Sequence, residues 1–322
     1  MLVQRLVDAP IIGPSSHQSI GDNIQGPSLI RVPEWVREPL GRYYLYFADH
    51  KGSYIRLAYA DDLVGPWTVY PPGSLQLVDS CLLTTPPPAT DEELDSVRVL
   101  YDEILGPGQL SHDLVTEATT PHIASPDVHV DPGNRRFVMY FHGLEGLGLQ
   151  VSRAAVSGDG ISFRARPEVL APPYLRAFPY DGRVYAITMP GQFFRSADGL
   201  TGFESGPTLF EPDMRHAAVC RRGETLHVFW SRVGDAPERI LHSTVELADD
   251  WTAWRASVPS EVLRPERPWE GADAPVEPSV RSVAYGRVNQ LRDPAIFEDQ
   301  GHTYLLYSVA GESGIGLAEI DL

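Results

Sequence analysis

A weak internal repeat of roughly 40 to 50 residues constrains this chain more than any other feature, because self-similarity at that period marks blades, solenoids or arrays. Each unit opens with an apolar strand, turns at Gly, Asp or Asn, and enters a second strand rich in Tyr and Phe; a third alternating strand follows, then often a polar turn and an aromatic. In the first copy Ser28 to Val32 leads to Tyr43-Tyr44-Leu45-Tyr46-Phe47, then Tyr54 to Tyr59, the turn Asp61-Asp62, and Trp67-Thr68-Val69-Tyr70. In the second, Asp127 to Val130 turns through Asp131-Pro132-Gly133-Asn134 into Phe137-Val138-Met139-Tyr140-Phe141, then Gly148 to Ala154, the turn Gly158-Asp159-Gly160, and Phe163. The third copy, from Leu175 to Phe203, is shorter, and the fourth runs from Ala217 to Trp251. The fifth, Ala295-Ile296-Phe297, Thr303 to Tyr307 and Gly314 to Ile320, stops one strand short.

Four short strands per unit predict an all-β fold, a five-bladed β-propeller. It occupies 1–322 as a single domain, with blades at about 24–70, 121–170, 173–210, 215–263 and 289–322 plus 2–7. Leu2 to Val7 has no other assigned role and is predicted to complete the last blade, which closes the ring and removes exposed sheet edges. A β-sandwich of irregular strands is the competing architecture.

Two insertions interrupt the repeat. After Pro86-Pro87-Pro88, Thr90-Asp91-Glu92-Glu93 places a cap-like residue and acids ahead of Leu94, Val97 and Tyr101 at helical spacing, so one short surface helix is expected. Arg264 to Arg287 is rich in Pro, Gly and charge and has no periodicity, and long irregular loops of this kind are often functional.

The net charge of −17 argues against a nucleic-acid partner, and the longest basic runs are Arg135-Arg136 and Arg221-Arg222. Met1 to Pro14 lacks the pattern of a secretory leader, and no stretch approaches the ~20 apolar residues of a membrane span, so no membrane partner and a cytoplasmic location are expected. Cys81 and Cys220 are too few for a disulfide framework or a zinc cluster and are read as reduced, buried thiols. Nothing in the sequence sets the oligomeric state.

In a propeller the innermost strand of each blade lines the axis, so residues at the starts of those strands converge although they are far apart in sequence. That rule gathers Gln25 from blade one; His122, Ser125 and Asp127 from blade two; Arg176 from blade three; Arg215 and His216 from blade four; and Arg292 and Asp293 from blade five. His50 and His142 follow the second strands of blades one and two in parallel positions that suggest the pocket rim.

Arg292-Asp293-Pro294-Ala295-Ile296, followed by a turn and Tyr304-Leu305-Leu306-Tyr307, resembles the blade-opening pattern of glycoside hydrolase families 43, 32 and 68, as does Ser125-Pro126-Asp127-Val128. Tyr54-Ile55-Arg56-Leu57-Ala58-Tyr59-Ala60-Asp61-Asp62-Leu63 through Trp67 is similar to the strand and turn that close their blades. The resemblance implies two aspartates and a glutamate in the axial pocket, and a small carbohydrate as partner. Inverting hydrolysis pairs a protonated acid at the leaving oxygen with a base that activates water on the other ring face. On this resemblance Asp127 takes the position of the second-blade aspartate, assigned to pKa tuning and substrate orientation.

The other two family acids are absent. The first-blade position reads Gly26-Pro27, and the third-blade position offers Arg176 in Tyr174-Leu175-Arg176-Ala177-Phe178. Asp293 could serve as base from the fifth blade, and the acid could come from Glu270 on the long loop or from His216. Asp127, Asp293, Glu270 and His216 are therefore the catalytic candidates. His122 and His129 also read as satisfied structural histidines. Arg176, Arg215 and Arg292 point to an anionic group on the sugar, since guanidinium forks pair with carboxylates, sulfates and phosphates. Trp269 offers a platform for a sugar ring.

No metal or other cofactor is expected, because His-Glu-x-x-His, paired cysteines and calcium-loop spacing are all missing; related propellers do hold a single axial ion. The expected function is a glycoside hydrolase acting on a small, anionic glycoside or oligosaccharide. The alternatives are a non-catalytic carbohydrate-binding propeller and a lyase or lactonase that uses His and Arg.

Overall fold

The computed structural model describes residues 1–105, 110 and 113–322, and its strands form five antiparallel four-stranded sheets. Blade one is Gln25–Arg31, Tyr43–Ala48, Tyr54–Ala60 and Thr68–Gln76. Blade two is Ile123–Asp131, Arg136–Gly146, Leu149–Ser157 and Arg164–Ala165, and blade three is Arg176–Tyr180, Arg183–Thr188, Gln192–Ser196 and Glu204–Thr208. Blade four is Met214–Arg222, Thr225–Arg232, Ile240–Glu246 and Ser260–Leu263. Blade five is Arg292–Asp299, His302–Ser308 and Ile315–Ile320, completed by Val3–Arg5 from the N-terminus, with Val3 opposite Ile320 and Arg5 opposite Ala318. This is the five-bladed propeller closed by the N-terminal strand that the repeat predicts.

The hydrophobic core divides into five interblade layers, which explains why the second strands are apolar at nearly every position. In Tyr43–Ala48, Tyr44, Tyr46 and Ala48 pack with Ile123, Phe137, Met139 and Phe141 of blade two. The alternate residues Tyr43, Leu45 and Phe47 pack with Phe297, Leu306 and Leu317 of blade five. Side chains of a strand alternate between its two faces, and in a ring of blades both faces meet a neighbour. Two tyrosines also latch blades together. Tyr46 donates from its hydroxyl to the carbonyl of Gly160 at 2.6 Å, and Tyr140 does the same to Gly199 at 2.8 Å. A Cβ on Gly199 would lie 2.9 Å from that tyrosine oxygen, so the Asp-Gly turn of each following blade needs its glycine for the close approach.

The first insertion holds two helices rather than one, Asp91–Leu105 and Leu114–Thr119, the second capped by the Asp113 carboxylate. Cys220 is buried as expected, whereas Cys81 is exposed, in a turn with a positive φ of 65°. Among the described residues no helix is long and apolar enough to cross a membrane.

Candidate active site

Four of the five inner strands begin with the same irregularity. Register slips between Gln25 and Ser28, Ala124 and Asp127, Arg215 and Ala218, and Arg292 and Ala295. The residue inside each bulge has a positive φ: Gly26 at 62°, Ser125 at 49°, His216 at 51° and Asp293 at 47°. In blade three Tyr174, two residues ahead of its strand, has a φ of 66°. A left-handed conformation costs a side-chain-bearing residue about 1–3 kcal/mol, and bulges that carry it re-aim a side chain, here toward the axis. The positions that face one another at this end of the channel are thus Gly26, Ser125, Tyr174, His216 and Asp293.

Tyr174 lies at the centre of this set. Its hydroxyl donates to Asp293 Oδ1 at 2.8 Å, and its ring lies 5.3 Å from that of His216 and 6.0 Å from that of His142. The Arg176 guanidinium carbon sits 3.9 Å over the same ring. His216 Nε2 is 3.8 Å from Asp293 Oδ1, and His122 stacks edge-on against His142 at 6.2 Å. Ser125 donates to the Gln25 side-chain oxygen at 3.2 Å. Asp293 is 1% exposed, and the other members of the group are almost as deeply buried.

Burial dominates the protonation states. It pushes the Asp293 carboxyl up, the nearby Glu312 carboxylate adds to the effect, and the Tyr174 hydrogen bond only partly offsets them, leaving Asp293 at about 6. Burial holds His142 and His216 well below the ordinary imidazole range and brings His122 to about 3, so these three rings are neutral. Burial alone would also raise Glu312, but His50, Arg292 and Asn23 outweigh it and hold that carboxylate at about 2.

The loop between blades four and five closes over the cluster. Arg292 and Arg215 donate to the carbonyls of Ser282 and Val280, and the Ser282 hydroxyl bonds Glu117 at 3.0 Å and the His50 ring at 3.3 Å. Beside it a cavity of about 320 Å³ is lined by Asn23, His50, Lys51, Tyr285 and Glu312 among others. His50 thus stands at the rim, 3.4 Å from Glu312.

Several expected members lie elsewhere. Asp127 is not at the level of Asp293: the bulge gives that place to Ser125, and Asp127 faces the other end of the channel. Its Oδ2 accepts from His129 at 2.8 Å and from the Ala177 backbone at 2.9 Å, at the edge of a cavity of about 860 Å³ lined by all five inner strands. Glu270 is fully buried but not axial. Arg5 bonds both its oxygens, at 2.7 and 3.0 Å, Tyr307 donates at 3.0 Å, and the Glu266 and Arg267 backbones donate at 2.9 and 3.0 Å. Trp269 packs on the apolar layer between blades four and five rather than offering a platform for a sugar.

Arg215 and Arg292 are axial but committed. Arg215 grips both oxygens of Glu238, and Arg292 pairs with Glu312 at 2.9 Å and Glu238 at 3.3 Å. Among the described residues no group of three or more His, Cys, Asp or Glu side chains is arranged to hold a metal ion.

Tyr174, Glu238 and Glu312 are the members that sequence reasoning missed. Tyr174 had a visible signal, since it precedes Arg176 at the strand start that aligns with the other bulges. Glu238 and Glu312 lie on turns outside the inner strands and carry none.

No family model matches the sequence. The chain is 35% identical over 325 residues to the uncharacterized protein R118 of Acanthamoeba polyphaga mimivirus, covering 92% of this chain and 83% of that protein. Among solved structures, a thermostable family-43 glycoside hydrolase matches with a TM-score of 0.55 and 16% identity, over 93% of this chain and 89% of the other. A family-43 β-xylosidase/α-arabinofuranosidase from a compost microbial metagenome, solved in complex with xylotriose, matches with a TM-score of 0.57 and 11% identity, over 99% and 96%. At these identities the likeness is one of fold.

Proposed function

The chain belongs to the family of the mimivirus protein R118, and from its propeller fold and the buried acid at its axis we propose that it is a glycoside hydrolase acting on a small glycoside or oligosaccharide. The fold is shared with family-43 hydrolases, one of them solved with a xylose trimer. The observation that carries the reading is Asp293, a buried carboxyl held at about 6 whose Oδ2 has no hydrogen-bond partner. A carboxyl that still carries its proton up to about pH 6 is suited to protonate a leaving glycosidic oxygen.

Asp293 takes the acid role, with Tyr174 and His216 orienting it. His216, at 3.8 Å, is too close to stand on the far side of a sugar ring, where acid and base lie about 6.5–9.5 Å apart. His142 is the better base: it is neutral, it reaches Asp293 only through Tyr174, and its Nδ1 is buried without a partner.

A non-catalytic sugar-binding propeller is the second reading, favoured by Gly26, Ser125 and Tyr174 at the positive-φ positions where acids would sit and by the ion pair that occupies Asp127. A panel of alkyl and aryl glycosides and short oligosaccharides, assayed with wild type and Asp293→Asn, separates the two. Hydrolysis that falls by about 10²–10⁴-fold in the variant is expected. The loss should be larger for alkyl than for nitrophenyl leaving groups, which need less proton donation. Binding without turnover of any member, or turnover unaffected by Asp293→Asn, overturns the hydrolase assignment.

A further inference from the structure

Three of the cationic side chains gathered at the axis are matched by carboxylates. Arg215 is matched by Glu238, Arg292 by Glu312 and Glu238, and Lys51 by Glu117 at 3.1 Å. Arg176 is different. Its Nη1 donates to the carbonyls of Ser125 and Leu175, both at 3.1 Å, its Nη2 has no partner, and among the described residues no carboxylate lies within ion-pair distance. It is 4% exposed. Asp127 feels its charge, but the Asp127 Oδ2 is already engaged by His129 and Ala177.

A guanidinium keeps its charge when buried, and the Tyr174 ring face compensates it only in part. Arg176 is therefore a buried cation with an unpartnered nitrogen and, among the described residues, no carboxylate bonded to it. The same ring joins three of the buried polar atoms that lack hydrogen-bond partners: Arg176 Nη2 above it, His142 Nδ1 beside it, and Oδ2 of the Asp293 whose other oxygen takes its hydroxyl.

We propose that the ligand of the axial pocket is a sugar carrying one carboxylate, of the hexuronate type, and that Arg176 receives that carboxylate. Arg176 Nη2 supplies a charged donor to the carboxylate and leaves His142 and Asp293 to face the glycosidic bond. A phosphate, with nearly twice the charge and three acceptor oxygens, would remain under-compensated there. The inference rests on the axial cluster being the sugar site, and it is tested by binding so that it and the hydrolase reading can fail separately.

Isothermal titration of the full chain with glucuronate, galacturonate, the parent hexoses, glucose 6-sulfate and glucose 6-phosphate is the experiment. Wild type is expected to bind one hexuronate at least about tenfold more tightly than its parent hexose. Arg176→Gln is expected to lose that preference while hexose affinity stays within about twofold, and Asp293→Asn to retain it. If Arg176→Gln does not fold, Arg176→Lys takes its place and should lose most of the preference, because a single ammonium cannot hold the Ser125 and Leu175 carbonyls with one nitrogen and present a second to the carboxylate. Equal affinity for hexuronate and hexose, tighter binding of the sulfate or phosphate ester, or a preference that survives substitution of Arg176 overturns the proposal. Hexuronate binding without any hydrolysis supports it and removes the hydrolase reading, and hydrolysis of neutral glycosides with no hexuronate preference does the reverse.

Discussion

Tyr174 and Asp293, 119 residues apart in sequence, are joined across the propeller axis by a hydrogen bond of 2.8 Å from the phenol to Oδ1. The bond stabilises the ionised carboxylate and so works against burial, which holds the proton on. Tyr174→Phe removes the downward influence alone. The Asp293 pKa is then expected to rise above its value of about 6, and the basic limb of the pH–rate profile should move to higher pH. An unmoved basic limb would mean that another group titrates.

Stability carries the same signature. The Asp293 carboxyl is held at about 6 in the folded state against about 3.9 in an unfolded chain, so between those values the folded protein keeps a proton that the unfolded one has released. Stability therefore falls as pH rises from about 4 to 6, by roughly 3 kcal/mol in all. Urea unfolding of Asp293→Asn across this range should lack that decline, so the variant gains on wild type as pH rises and the difference levels off above about 6.

The pair of Asp127 and His129 makes a contrasting prediction. Asp127 raises the His129 pKa against the effect of burial, and it does so at the end of the channel away from Asp293. Asp127→Asn should lower the His129 pKa, followed by its imidazole proton resonances, while turnover stays within about threefold of wild type. A loss of turnover comparable to that of Asp293→Asn would return Asp127 to the active site.

Glu270 ties the closing strand to the long loop and the last blade through Arg5 and Tyr307. Glu270→Ala leaves Arg5 and two backbone amides without their acceptor and should cost about 3–5 kcal/mol in denaturant unfolding, in line with the loss of one member of a buried ion pair. The folded fraction should keep its kcat, as expected of a residue outside the reacting cluster.

Gly26 occupies the bulge in which the resemblance expects an aspartate. Its φ is 62°, and a Cβ there would lie 2.9 Å from the Ser125 backbone. Gly26→Ala should destabilise the protein by roughly 1–3 kcal/mol, and Gly26→Asp by no less. Thermal unfolding of the two variants checks this. Wild-type stability in Gly26→Asp would show that blades one and two can separate to admit a side chain.

Much of the architecture was legible because it depends on local periodicity. Tyr43 to Ala48 alternates between two neighbours, and the Asp-Gly turns recur where Tyr46 and Tyr140 reach across. The site was less legible. Counting strand starts points to the inner strands, but which residue of each start faces the axis depends on a bulge. The resemblance put weight on Asp127, and Ser125 holds the corresponding place.

The sequence by itself determined the ring of blades and its closure by the N-terminal strand, since apolar alternation and turn chemistry act within a few residues of one another. It also determined Asp293 as an axial residue, through the Asp-Pro step that opens the last inner strand. Only the tertiary structure decided which charges cancel. Glu238 and Glu312 come from turns without periodicity to meet Arg215 and Arg292, and Glu270 goes to Arg5, leaving Arg176 and Asp293 with open atoms. Pairing between buried charges is set by three-dimensional proximity and desolvation, which no local pattern in the chain encodes.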